Sequence, residues 1–387
     1  MGASALQPQA LMAAVAAREG EMVDRLRRVV GLDSGSYDPV GVNAVGDLLQ
    51  SWWEPLGFVC DRIPVPGAGD FRRFTRHLAG RGRLLILGHL DTVWPKGTAA
   101  DWSFHLADGC AHGPGVGDMK GGLVMAQTAI AALLSGNFAG LGEVRHVLVP
   151  DEELGSVGSR ALIEAEAEEA DWVLVLEPAR DNGAVVVERG AVGAMVVRAN
   201  GVSAHVMHRE NGASAIHALA AMVGPLEALS NAERGESINV GVLRGGDARQ
   251  VVPRNCEMHI DLRAPDASSA DRLLERVLEI VESGNAGRVD VSVEGGITRP
   301  AFPAAASERL FARAAAIAGG FAVDYPKART IGGSDGSFSA AIGRPTLDGL
   351  GPVCLDSCSR RERIPVRSLV ERGAIFAALI TQLGMLQ

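Results

Sequence analysis

Three short segments constrain this chain more than any other feature: "RLLILGHLDTV", "EVRHVLVPDEELGS" and "DWVLVLEP". Each is a run of buried-type aliphatic residues that stops at a histidine or carboxylate. The stretches between them, "GGLVMAQTAIAALLSG" and "GSRALIEAEAEEA", have helical spacing. Apolar strands alternating with helices predict an α/β fold, a mixed but mostly parallel sheet with helices on both faces. In such sheets ligands gather beyond the carboxyl ends of the strands. His89, Asp91, Glu152, Glu153 and Glu177 all fall there.

From about Val186 the texture changes. "GAVGAMVVRANG", "SINVGVLRGG" and "CEMHIDLRAP" read as antiparallel or mixed strands, with helices in "NGASAIHALAAMVGPLEAL" and "SSADRLLERVLEIVESG". Helices return in "SERLFARAAAIAGG" and "RSLVERGAIFAALITQLG". The expected organisation is a larger domain in two parts, 1–186 and 299–387, with a smaller α+β domain, 187–298, inserted between them.

A chain of 387 residues is long for one core, which suits two domains. A net charge of −9 argues against a nucleic-acid partner. Five scattered cysteines form no disulfide framework and suit a reducing compartment. The Ala-rich N-terminal stretch reads as a first amphipathic helix, not a signal peptide, and no run reaches the ~20 apolar residues of a membrane span. The expectation is a cytoplasmic protein without a membrane partner.

The polar residues divide by chemistry. In "GHLDTV", Asp91 lies two residues from His89, the pairing that orients an imidazole towards a metal; a polar loop with a chance histidine is the plainer alternative. The glycines of "HGPGVGDMKGG" let the backbone wrap tightly around Asp118 just before a helix. A phosphate loop would place no carboxylate there. "PDEELGS" sets Glu152 beside Glu153, and adjacent carboxylates need a cation or a proton between them unless they are simply solvated. Glu177 follows buried aliphatics and needs compensation. This hard, oxygen-rich set fits two divalent ions sharing a water, an amide-hydrolysing centre.

With these residues in view, the sequence resembles the two-zinc metallopeptidases that include glutamate carboxypeptidases, aminoacylases, and acetylornithine and succinyl-diaminopimelate deacylases. "GHLDTV", "GPGVGDMKGG", "DEELGSVGS", "LEP", "GVSAH", "IGGSDGSF" and "SLVERGAIFAALITQL" carry the likeness in order along nearly the whole chain. "GRPTLDGLGP" looks most like the glutamate carboxypeptidase branch. The resemblance implies that His89 and Glu177 hold one metal, Asp118 bridges two, Glu153 holds the second, Glu152 is the general base and Asp91 orients His89. It implies a homodimer formed through the inserted domain, a dimerisation or lid domain, with His205 reaching the partner's site to steady the oxyanion. Arg263 would take the substrate's free carboxylate.

Three departures accompany it. Where the family carries a metal-binding histidine in a pattern resembling "GPVGGGAHSxxE", this chain reads "GPVCLDSCSRRE", so Cys358 falls on the histidine position. A thiolate is a good zinc ligand; Asp356 as ligand, or loss of that metal, stay open. "HVMHRENGASAI" is about one residue short and brings Met207 and His208 near His205. "GGDARQVVP" offers Gln250 where asparagine is typical, a second candidate for substrate contact.

The expected function is hydrolysis of an amide in an N-acyl or N-aroyl amino acid, or release of a C-terminal, Glu-like residue, by metal-activated hydroxide with Glu152 as base. The substrate is a small amide or short peptide with a free carboxylate. Two divalent ions are implied, zinc first, then manganese or cobalt, with a single ion as an alternative. The competing readings are a relative with altered single-metal chemistry, such as a deaminase, and a non-catalytic homologue.

Overall fold

The computed structural model describes residues 8–284 and 287–385. They divide into two compact units. One runs to Glu188 and takes in Pro303–Arg329 and the chain from Ser334 on; the other comprises Arg189–Phe302 with Thr330–Gly333.

The first unit is built on a six-stranded sheet in the order Val59–Pro64, Asp70–His77, Glu143–Val149, Arg83–His89, Trp172–Val175, Thr346–Leu347. The last four run parallel, and the first two form an antiparallel edge. Burial on both faces explains why the central strands are almost wholly aliphatic. Leu84 and Ile86 pack into one core with the helices Pro39–Trp53, Gly122–Ser135 and Val366–Gln382. Leu85 and Leu87, pointing the other way, meet Val147, Val173, Ile163 and Phe338.

Arg83–His89 lies between the strands that follow it in sequence. After His89 the chain crosses through Gly122–Ser135 to one side, then through Arg160–Glu168 to the other. A sheet that winds outward both ways from one strand opens a crevice at that strand's carboxyl end. His89 is its last residue.

The N-terminal helix expected as one piece is two, Pro8–Ala16 and Glu19–Val30. Glu19 and Glu21 stand in the first turn of the second, where its dipole favours acidic residues. The seven residues before Pro8 lie outside the described residues. No described helix is long and apolar enough to cross a membrane.

The second unit is a four-stranded antiparallel sheet, ordered Ser237–Gly245, Asn255–Ala264, Ala191–Asn200, Asp290–Arg299, covered by the helices Ala215–Glu227 and Ala267–Ser283. Its core joins Met195, Val197, Met258 and Ile260 to Leu219, Leu273 and Val277. Asp266 caps the second helix by accepting the Ser269 N–H at 2.8 Å.

Candidate metal centre

Four loops of the first unit meet at the carboxyl end of Arg83–His89. His89 closes the strand and is almost fully buried. Its Nδ1 lies 2.9 Å from the Asp91 carbonyl and 3.4 Å from the Asp91 carboxylate. Nδ1–H therefore donates to Asp91, which turns Nε2 towards the cluster. Nε2 stands 3.2 Å from Asp118 Oδ1 and 3.8 Å from Glu177 Oε1.

Asp118 lies in the turn Val116–Gly121 that opens the helix Gly122–Ser135. Gly115, at φ 69°, turns the chain into it, and a side chain there would strike Thr92 and the Asp118 carbonyl. Glu152 and Glu153 begin a short 3₁₀ turn, Glu152–Leu154, just beyond Glu143–Val149. Glu177 stands two residues beyond Trp172–Val175.

Two groups of potential ligand atoms result, His89 with Glu152 and Glu177, and His89 with Asp118 and Glu153; within each, the atoms lie within 4.8 Å of one another. Carboxylates this close destabilise one another unless cations or protons intervene. Burial, then the charges of Asp118 and Glu152, raises Glu177 well above the ordinary carboxylate range. Burial, with Asp118 next, pushes Glu153 up to about 9. Burial works against a charged His89, yet the bonds to Asp118 and Asp91 outweigh it and raise the imidazole well above its usual value. Burial would also raise Asp118, but hydrogen bonding to His89 and its charge hold it down.

A buried Glu153 Oε1 has no hydrogen-bond partner. An orphaned carboxylate oxygen among surplus negative charge is what a divalent ion would satisfy, and one imidazole with four carboxylates suits zinc or manganese. The residues present therefore fit a metal.

The segment bearing Cys358 is tightly built. Cys358 Sγ lies 3.5 Å from Asp118 Oδ2, outside both ligand groups. Burial, then the Asp118 carboxylate, pushes its thiol up to about 12, although the residue as a whole is exposed. Asp356 is paired with Arg361 at 3.2 Å and Arg363 at 2.5 Å, which commits it away from the cluster.

Several supports escaped the sequence. The Asp91 carboxylate accepts the N–H groups of Glu152 and Glu153, each at 3.1 Å, and the Ser36 hydroxyl at 2.7 Å. Glu362, fully buried, accepts the N–H groups of Gly117 at 2.8 Å and Asp118 at 3.1 Å. Asp151 accepts from Gly158 and Ser159, and Asp335 from Ser156, tying down the turn after Glu153. Gly351 N–H donates to the Glu177 carbonyl at 2.9 Å, and buried Arg372 holds the Gly349 and Gly351 carbonyls.

The other three sequence candidates belong to the second unit. His205 Nδ1 accepts the Met207 N–H at 3.2 Å, so a neutral ring carries its proton on Nε2, the tautomer an oxyanion donor needs. Gln250 lies alongside, its carbonyl accepting the Val206 N–H at 2.9 Å. The Arg263 fork is engaged by Asp261, with both bonds at 2.8 Å. A substrate carboxylate would have to compete with that pairing.

The sequence model described as peptidase family M20/M25/M40 matches residues 85–382. Carboxypeptidase G2 of Pseudomonas sp. (strain RS-16) is 28% identical over 374 residues, covering 94% of this chain and 89% of that protein. Succinyl-diaminopimelate desuccinylase of Dechloromonas aromatica (strain RCB) is 26% identical over 355 residues, covering 87% and 92%. Aminopeptidase PepT of Bacillus cereus ATCC 10987 superposes with a TM-score of 0.73 at 22% identity, covering 94% of this chain and 98% of that one. An M20 family metallo-carboxypeptidase of Sulfolobus solfataricus gives 0.70 at 14% identity, covering 94% and 99%.

Proposed function

The chain belongs to peptidase family M20/M25/M40, and from that premise we propose that it hydrolyses the amide bond of an N-acyl or N-aroyl amino acid, or releases the C-terminal residue of a short peptide. The observation that carries the reading is the convergence of His89, Asp118, Glu152, Glu153 and Glu177 into two overlapping ligand groups. In this reading His89 and Glu177 would hold one ion, Glu153 with Cys358 would hold the second, and Asp118 would be shared between them. Zinc is preferred, with manganese or cobalt as substitutes. Divalent ions bound there would polarise the amide carbonyl and make water acidic enough to attack it near neutral pH.

The chain's own groups do the rest. Glu152 accepts the proton of the attacking water as its oxygen bonds to the amide carbon. It passes that proton to the departing nitrogen as the C–N bond breaks, leaving a carboxylate and a free amine. Asp91, holding the Glu152 and Glu153 amides and His89 Nδ1, keeps base and ligands in register. The second unit serves as a dimerisation or lid domain in a homodimer, with His205 of the partner subunit donating Nε2–H to the developing oxyanion. Arg263 and Gln250 would meet the substrate's carboxylate once Arg263 gives up Asp261.

A one-ion version is favoured by the place of Cys358 outside both ligand groups. Metal content of Cys358→Ser separates the two: loss of one ion per chain supports the thiolate ligand, and no change removes it. The hydrolase reading is tested with the metal-loaded protein and a panel of N-acyl amino acids. Glu152→Gln should lower kcat by ~10²–10⁴-fold with metal content preserved. An unchanged rate would end the case for Glu152 as base.

A further inference from the structure

In "SRRE" two arginines fill positions that the family pattern leaves open, and the first of them, Arg360, stands apart from its neighbours. It is exposed, and its guanidinium lies over two indoles, 5.5 Å from the Trp94 ring and 5.6 Å from the Trp102 ring. Among the described residues no carboxylate pairs with it. The cations around it are committed. Arg361 and Arg363 both bind Asp356, at 3.2 and 2.5 Å, and Lys96 binds Asp38 at 3.4 Å. Stacking uses the face of a guanidinium and leaves its in-plane N–H groups free.

That fork is held in place beforehand. Trp94 packs edge-on against Trp102, ring centroids 5.1 Å apart. Just before Arg360, the Ser359 hydroxyl donates to the Asp356 carbonyl at 2.7 Å and accepts the Arg361 N–H at 3.2 Å. Just after it, the Glu362 N–H donates to the Ser359 carbonyl at 2.9 Å. An arginine already ordered loses little side-chain freedom on binding, so more of the contact appears as affinity.

The same turn is tethered to the metal cluster on both sides. Two residues before Arg360, Cys358 Sγ lies 3.5 Å from Asp118 Oδ2. Two residues after it, Glu362 accepts the Gly117 and Asp118 N–H groups. Trp94, beneath the guanidinium, lines a cavity together with Glu153. A free arginine fork is the side chain best matched to a carboxylate, which it holds through two parallel bonds. Arg263 has the same fork but must first leave Asp261.

Resting on the hydrolase reading, we propose that Arg360 is a specificity residue supplied by the first unit, and that its free fork receives a carboxylate of the substrate, carried on the amino-acid part or on the acyl part. The test compares three conjugates on metal-loaded wild type and Arg360→Gln. N-acetylalanine carries its carboxylate on the amino-acid part, N-succinylalaninamide on the acyl part, and N-acetylalaninamide carries none. Wild type should prefer at least one carboxylate-bearing conjugate over N-acetylalaninamide. On that conjugate the variant should lose ~10–100-fold in kcat/KM, chiefly through KM, with a far smaller change on N-acetylalaninamide. Loss on N-acetylalanine places the carboxylate on the amino-acid part, and loss on N-succinylalaninamide places it on the acyl part. Equal losses on all three, as expected of a guanidinium that only packs against the indoles, overturn the proposal, and so does no loss on any. Calorimetric binding of the same conjugates separates this failure from that of the hydrolase reading. With none of them hydrolysed, carboxylate-dependent binding weakened ~10-fold or more in Arg360→Gln would keep the contact and discard the hydrolase. Absent binding, or equal binding to both proteins, would discard the contact.

Discussion

Glu362 accepts the backbone N–H of Asp118 at 3.1 Å across 244 residues of sequence. The same oxygen takes the Gly117 N–H, so one buried side chain sets the turn that presents the proposed bridging ligand. Glu362→Ala would leave two buried amides without an acceptor and should weaken metal binding by ~10–100-fold. Glu362→Gln, which keeps an acceptor oxygen, should recover most of it. A metal titration monitored by cobalt absorption or calorimetry reads this directly; equal losses in both variants would show that the carboxylate charge matters more than the acceptor.

Asp91 binds three donors with two oxygens, Ser36 among them. An asparagine would turn an N–H₂ group towards at least one of them. Asp91→Asn should therefore lower kcat by ~10–100-fold with a smaller change in KM, because it displaces Glu152 rather than a substrate contact. A change confined to KM would contradict that placement.

The carboxylates predict opposite pH responses for metal-free and metal-loaded protein. Folded Glu153 keeps its proton to about pH 9, whereas in the unfolded chain it releases it near 4.5. With Glu177 shifted the same way, the metal-free fold loses stability as pH rises between those limits. Divalent metal displaces the protons, so affinity should increase with pH and binding at pH 7 should release protons. Melting temperatures from pH 5 to 8, with and without zinc, check the sign. Parallel curves would count against the cluster as a metal site.

His146 makes a separate prediction about acid. It is fully buried against Trp53 and Phe74, and neither ring nitrogen has a hydrogen-bond partner. Burial pulls it down to about 3. The unfolded chain protonates it near 6.5, so stability falls as pH drops below that value, by about 2 kcal/mol at pH 5. His146→Leu should flatten this fall and stabilise the protein at neutral pH. Urea midpoints at pH 5 and 7 decide it, and an undiminished acid loss would place its origin elsewhere.

The α/β layout could be read because the central strands are buried on both faces and so nearly pure aliphatic. The antiparallel edge Val59–Pro64 and Asp70–His77 could not. It is rich in arginine, and Arg72 is buried only because Asp47, Gln50 and the Asn43 carbonyl receive its guanidinium. Asp290–Arg299 was hidden by Gly295 and Gly296, both at positive φ, which dilute a strand pattern. At the site, strand-end carboxylates advertise themselves through adjacent apolar runs. Glu362, Asp335 and Arg372 fall inside segments that carry the family likeness, but their supporting roles could not be read there, since their partners lie far away in sequence. The pairing of Arg263 with Asp261 was within reach, two residues apart on one strand.

Metal content of the purified protein, wild type beside Asp118→Asn, tests the central claim most directly. Two divalent ions per chain in wild type, falling to one or none in the variant, is the predicted result. Wild type that neither carries metal nor takes it up from added zinc or manganese would contradict the account.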